Sequence, residues 1–143
     1  MSTENNKHVY RRWIDEVWHK GNLALNDEFV SPDCKDHNEL PGFPPGREGI
    51  AALVAMLRAG HSDVKWWVDQ LVGEGDVAVG RWTMTGVHTG PVFGAPGTGR
   101  QVRMTGMDMV RVVEGRIVEI WHNEDVIGHL MQIGVIPPLG GNP

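Results

Sequence analysis

Two residues late in the chain, Asp108 and His122, carry the side chains best suited to proton transfer. A carboxylate beside an imidazole makes a base with an orienting partner, able to take a proton from an activated carbon or from water. Whether they meet depends on the stretch that holds them, Gln101 to Asp125, QVRMTGMDMVRVVEGRIVEIWHNED. Alternation from Val102 to Val112, and the β-branched and aromatic run Ile117 to Trp121, predict two strands joined by a tight turn. A two-residue Glu114-Gly115 loop would put Asp108 and His122 on opposite faces. A three-residue loop, Val113-Glu114-Gly115 with Gly115 in a left-handed bulge position, puts them on one face. The longer loop is favoured because an ordinary Glu-Gly pair does not supply two positive φ values. In that register Val112 faces Arg116, Asp108 faces Ile120, and His122 is the diagonal neighbour of Asp108, roughly 7–8 Å away. Met104, Asp108, Val110 and Val112 then share an inward face with Val118, Ile120 and His122. The competing reading is that alternation simply points Asp108 at water.

The remaining chemistry-bearing residues rank below this pair. His37 lies in a short extended segment, Cys34 to Asn38, that also carries Asp36; His88 ends a neighbouring strand. Both are candidates for contacting a ligand. Trp82, Met84, Met104 and Trp18 are candidates for its apolar walls, since Trp and Met adapt well to bulky ligands. His122, Glu124 and Asp125 suggest a metal cluster, but alternation sends His122 and Asp125 to opposite faces. No His-x-His or His-Glu-x-x-His spacing occurs, so no metal is expected. Gly94 to Gly99 is not a phosphate loop, because no Walker lysine follows and it joins strand to strand. Cys34 has no clear activating base, which argues against a covalent mechanism.

Composition excludes several classes. The chain has 143 residues and 41% apolar content, enough for one domain with a real core and too little for two. No apolar run reaches ~18 residues, so no membrane span is expected. The opening MSTENNKHVYRRW reads as a helix rather than a signal peptide. A lone cysteine suits a reducing cytoplasm. The net charge of −5 argues against nucleic acid as a partner.

The elements that must position the pair follow in order. Val9, Trp13, Val17 and Trp18 mark a helix over about 4–20, stopped by Gly21-Asn22. A short helix is predicted over Leu23 to Val30, broken by Ser31-Pro32-Asp33. After the turn-rich PGFPPG loop (Pro41 to Gly46), a third helix runs from about Arg47 to Ala59, with Ile50, Leu53, Val54 and Leu57 on one face. The period then changes to two. Strands are predicted over Asp63 to Val72, Val77 to His88 and the two already described, with hairpin turns and a Gly/Pro-rich loop, Thr89 to Gly99. Ile127 to Gly134 forms a last helical turn or two. Helices first and an antiparallel meander after them predict an α+β domain, with helices packed on one face of a curved sheet around a pocket.

The strings GVHTGPVFGAPGTGRQV (Gly86 to Val102), MDMVRVVEGRIVEIWHNED (Met107 to Asp125) and LMQIG (Leu130 to Gly134) resemble the SnoaL-like polyketide cyclase family of the NTF2-like superfamily. That resemblance implies an NTF2-like cone over 1–136, followed by a flexible tail, 137–143. It also implies acid/base chemistry without metal or cofactor: an aldol-type cyclisation or isomerisation of a hydrophobic, carbonyl-bearing small molecule. His122 stands where the family's cyclases carry a catalytic aspartate, and Ile120 where a histidine is common. The expectation is that His122 relays the proton while Asp108 orients it. Two alternatives stay open: an epoxide or ester hydrolase in which the same pair activates water, or a non-catalytic binding protein, favoured if the two residues point apart or tryptophans fill the cavity. The outer sheet face, with Arg111, Glu119 and Trp121, suits a homodimer or higher homo-oligomer.

Overall fold

The structure, a computed structural model, describes residues 2–140. Of the tail expected to be flexible, 141–143 lie outside the described residues. The first helix, α1 (Thr3–Trp13), starts where the Ser2 side chain accepts the Asn5 N–H, and its last turn carries Arg11 and Arg12, matching the helix dipole. It continues into wider π-helical turns, Ile14–His19. Tyr10, Trp13, Ile14, Val17 and Trp18 are all buried along this length, so the helical stripe read from the sequence is the face turned to the sheet.

A 3₁₀ turn, Leu23–Leu25, leads into α2 (Asn26–Phe29) and β1 (Val30–Asp36). The helical turns end before Ser31-Pro32-Asp33, as expected, and that tripeptide is itself part of β1. Proline is tolerated there because β1 is an edge strand whose register is irregular between Val30 and Lys35, where no N–H need be given to a neighbour. Helix α3 (Gly46–Gly60) buries Ile50, Leu53, Val54 and Leu57, as its spacing predicts. Four long strands follow: β2 (His61–Glu74), β3 (Val77–His88), β4 (Gln101–Val113) and β5 (Arg116–Glu124). Helix α4 (Val126–Gln132) closes the fold. The open sheet runs β1-β5-β4-β3-β2. β1 joins β5 in parallel while the other pairs are antiparallel, so the sheet is mixed rather than purely antiparallel.

The β4–β5 connection differs from expectation and reaches the same end. Its loop is the two-residue Glu114-Gly115, both at positive φ (51° and 78°), flanked by the pair Val113 and Arg116; this is the geometry of a type I′ turn. Parity is restored three residues later. Val112 pairs with Ile117 but Arg111 with Glu119, leaving Val118 as a β-bulge. Asp108 is therefore directly opposite His122, not diagonal to it, and Ile120 faces Val110. Ile117, not Val118, is the buried residue near the turn.

Candidate active site

Asp108 sits on the inner face of β4, between Gly80 of β3 and His122 of β5, and is 5% exposed. Gly80 is what gives it a partner. A Cβ built there would lie 2.1 Å from the Tyr10 ring; without one, the phenol of α1 crosses β3 and donates to Asp108 Oδ2 at 2.8 Å. Burial pushes the Asp108 carboxyl up to about 7, against the stabilising bond from Tyr10, with Glu124 raising it further and His122 and the Trp82 indole lowering it. The Tyr10 hydroxyl is driven well above its ordinary value, by burial first and then by Asp108, so it remains a donor.

His122 is held by other residues. Its Nε2 faces both oxygens of Asp36, at 2.9 and 3.1 Å, and its Nδ1 is bonded to Glu124. An ionised carboxylate only accepts, so both ring nitrogens carry protons. Burial pulls the imidazole down, but Asp36 and Glu124 together outweigh it and hold the group at about 10. The expectation that Asp108 orients His122 is corrected: Asp108 bonds Tyr10, and the two carboxylates on His122 come from β1 and from β5 itself.

Local structure explains both. Asp36 ends β1 opposite Ile120, and its Oδ1 accepts the Asn38 N–H at 2.8 Å, which fixes the carboxylate. Asn38 then accepts the His122 N–H at 2.8 Å, tying the end of β1 to β5. Glu124 lies two residues beyond His122, hence on the same face.

Trp18, Leu40, Phe43, Ile50, Leu53 and Ile120 wall a cavity of about 20 Å³ over Asp36, Asp108, His122 and Glu124. That is space for a water molecule or two, far tighter than a bulky ligand would need. An inner chamber of about 10 Å³ adjoins it, sharing Trp18, Leu40, Leu53 and Glu124 and adding Trp66, Trp82 and Met104. Asp108 and His122 thus do not point apart, while the Trp18, Trp66 and Trp82 rings, each 4.8 Å from the next, occupy much of the cone.

Of the six proposed ligand contacts, Trp18, Trp82 and Met104 line this space. Three do not. Met84 is wholly buried packing. Because Asp36 points inward, His37 points outward; it stacks on Trp121 with ring centroids 4.5 Å apart and bonds Glu119 at 2.6 Å. His88 is buried beside His61 and bonded to Thr98. Tyr10, Asp36 and Glu124 were missed. The parity of Glu124 with His122 was readable, and Tyr10 is on the same helical stripe as Trp13. Cys34 is buried, and its thiol is pushed up to about 12, chiefly by burial and then by Asp36 and Glu119, which leaves no thiolate for nucleophilic attack. Among the described residues no group of three His, Cys, Asp or Glu side chains could hold a metal ion, and no helix is long and apolar enough to cross a membrane.

Helices on one face of an open five-stranded sheet, with a polar cluster walled by apolar residues, define an NTF2-like α+β cone. The SnoaL-like polyketide cyclase family model matches residues 8–133, and the chain belongs to that family. It is 28% identical over 110 residues to the aklanonic acid methyl ester cyclase DnrD of Streptomyces peucetius, covering 75% of this chain and 72% of that protein. Among solved structures, TsrD of Streptomyces laurentii superposes with a TM-score of 0.84 at 25% identity, over 95% of this chain and 99% of that one. IdmH of Streptomyces antibioticus, a candidate polyketide cyclase, gives 0.75 at 31% identity, over 90% and 98%.

Proposed function

We propose that this chain is a cofactor-independent enzyme that closes a ring by intramolecular aldol addition in an uncharged, hydrophobic, carbonyl-bearing small molecule. The observation that carries this is Asp108: a carboxyl group in the cavity wall, held by Tyr10 and pushed up to about 7, near the pH at which a base works best. Ionised Asp108 takes a proton from the carbon next to a carbonyl. The resulting enolate carbon attacks a second carbonyl, and the new alkoxide recovers a proton from the Asp108 carboxylic acid. His122, with both ring nitrogens committed to Asp36 and Glu124, has no lone pair to offer. Its fixed positive charge instead favours the enolate electrostatically. The proton-accepting role thus moves from His122 to Asp108.

The cavity's charge supports an uncharged substrate. Asp36, Glu39, Asp108 and Glu124 line it with His122, and among the described residues no lysine or arginine does, so a free carboxylate would be repelled. An ester is compatible, as the name of the Streptomyces peucetius relative states for its substrate.

The test uses aklanonic acid methyl ester. Asp108→Asn is expected to lower turnover by about 10²–10⁴-fold without unfolding the protein, and wild-type kcat/KM should climb through about pH 7. Retained turnover in the variant, or a limb rising only near pH 10, would return the base role to His122. The free buried thiol of Cys34 fits a cytoplasmic enzyme. Exposed Met107, Met109 and Trp67 fit a homodimer or higher homo-oligomer through the sheet; a monomer in sedimentation velocity refutes that assembly.

A further inference from the structure

The loop between β3 and β4 contains a tight hairpin that takes no part in the proton-transfer site. Val92 and Ala95 exchange backbone bonds of 3.0 and 2.9 Å, and between them Phe93 and Gly94 both take positive φ, 47° and 79°. This is the geometry of a type I′ turn, whose first central position favours Asn, Asp or Gly. Among the described residues two other non-glycine positions have positive φ, Asp63 and Glu114, and both carry side chains that suit water. Phe93 is the unfavourable case: a bulky ring in a backbone region it avoids, left 37% exposed. That ring forms part of the wall of the inner chamber. The hairpin is fixed to the end of α3. Val92 is wholly buried against Gly60, where a Cβ would stand 2.1 Å from the valine methyl. The Thr89 and Gly90 N–H groups both donate to the Gly60 carbonyl at 3.0 Å.

The surface turned to the chamber is apolar throughout. Trp66, Trp82, Leu57 and Met104 form its buried depth, and Leu40, Phe93 and Val126 its partly exposed rim. Glu124 turns its carbon stem to it, while its carboxylate bonds His122. At about 10 Å³ the chamber has room for about one methyl or ethyl group, and a void without polar partners stays dry and takes apolar guests. It shares Trp18, Leu40, Leu53 and Glu124 with the Asp108 cavity, so one molecule can reach both. We propose that the inner chamber is the subsite for a short alkyl branch of the substrate, and that Phe93, its fixed outer wall, sets the longest branch admitted. The disfavoured backbone and the exposed ring then have one explanation: Phe93 is placed for ligand contact rather than for stability. The proposal rests on the reading that the substrate's carbonyl lies over Asp108, and it adds the substituent that the same carbon skeleton carries nearby.

The experiment titrates the full-length protein, labelled at its methionine methyls, with cyclohexanone and with its 2-methyl, 2-ethyl and 2-pentyl derivatives in proton–carbon spectra. Affinity should rise about fourfold per added carbon as far as ethyl, then fall by about tenfold at pentyl. The Met104 methyl signal should move with the ethyl compound and not with cyclohexanone. Phe93→Ala should remove the fall and make the pentyl compound the tighter ligand. Phe93→Asn should do the same without lowering the urea midpoint, since Asn suits this turn position; a purely structural Phe93 would lower it. The proposal is overturned by a Met104 signal that ignores the ethyl compound, by affinity that keeps rising through pentyl in the wild type, or by a cut-off that survives Phe93→Ala. The wild-type series decides the matter even if a variant fails to fold. Asp108→Asn should keep the length preference, so a failed subsite and a failed aldol mechanism give different results.

Discussion

Two buried histidine neighbourhoods in this fold have opposite chemistry. His122 lies between Asp36 and Glu124 and is held at about 10, so it is a permanent cation at neutral pH. At the far end of the sheet, His61, His88 and His129 cluster without a carboxylate. His61 Nδ1 donates to the Leu57 carbonyl at 2.6 Å, which leaves its Nε2 to accept from His129 Nε2 at 3.1 Å. That chain of bonds requires His61 to be neutral, since its Nε2 must offer a lone pair. Burial lowers His61, and burial together with its two neighbours brings His129 down to about 4. Both sites are nearly dry, so burial alone does not decide the charge of an imidazole; the partner does. A carboxylate makes a fixed cation, and another imidazole makes a fixed neutral ring.

The largest test of that contrast removes the carboxylates. Replacing Asp36 and Glu124 together with Asn and Gln should bring His122 from about 10 to below 7 in an NMR titration. Because breaking a buried ion pair strands its partner, stability by urea denaturation should fall by about 3–5 kcal/mol. A His122 that still titrates near 10 would mean something other than these two residues holds its charge. Somewhat smaller is Gly80→Ala, whose Cβ collides with the Tyr10 ring. Overpacking of this kind is worth about 1–3 kcal/mol. Moving the phenol also withdraws a donor that lowers Asp108, so the kcat/KM limb should shift to higher pH. Loss of stability with an unmoved limb would show that Tyr10 packs against Asp108 without tuning it.

How much of this was legible follows from range in sequence. The long strands were readable because a period of two is local, and so was the stripe of α1 through Trp13, Val17 and Trp18. The hairpin was not. Glu114 adopts a positive φ that its residue type disfavours, and the bulge at Val118 that restores parity is a matter of how β5 packs, not of any turn motif. Asp108 and His122 were placed on one face by a register that does not occur. The partners were hidden for a different reason. Asp36 meets His122 across 86 positions and Tyr10 meets Asp108 across 98, through a parallel edge pairing and a helix crossing that no local pattern encodes. His37 was misplaced by one residue of parity, since its neighbour Asp36 takes the inward position.

Acid titration should expose the second neighbourhood at an intermediate magnitude. Unfolded histidines bind protons near 6.5, while folded His129 resists until about 4. Between those values the unfolded state carries more protons, so stability falls as pH falls, by about 1.4 kcal/mol per unit for this one residue. His129→Gln should flatten that slope between pH 6.5 and 4 while leaving the alkaline side unchanged. His122 has the opposite sign: its folded value is raised, so its stabilisation is full below 6.5 and is lost as pH rises through about 10. If the acid slope survives in His129→Gln, the cluster is not what senses the proton.

The smallest effect belongs to His37, which belongs to neither neighbourhood. It is about a quarter exposed at its bond to Glu119 and stacks on Trp121 outside the sheet. Solvent-exposed pairs of this kind contribute little, and Glu119 keeps Arg111 at 3.0 Å when the histidine is gone. His37→Ala should therefore move Tm by about 2 °C or less and leave the proposed cyclase activity unchanged. The Asp36 carboxylate beside it would still hold His122, because the Asn38 N–H fixes its orientation from the backbone. A tenfold loss of turnover in His37→Ala would mean that the end of β1 moves as a unit, and that the outer face of the sheet helps to set the charge of the inner one.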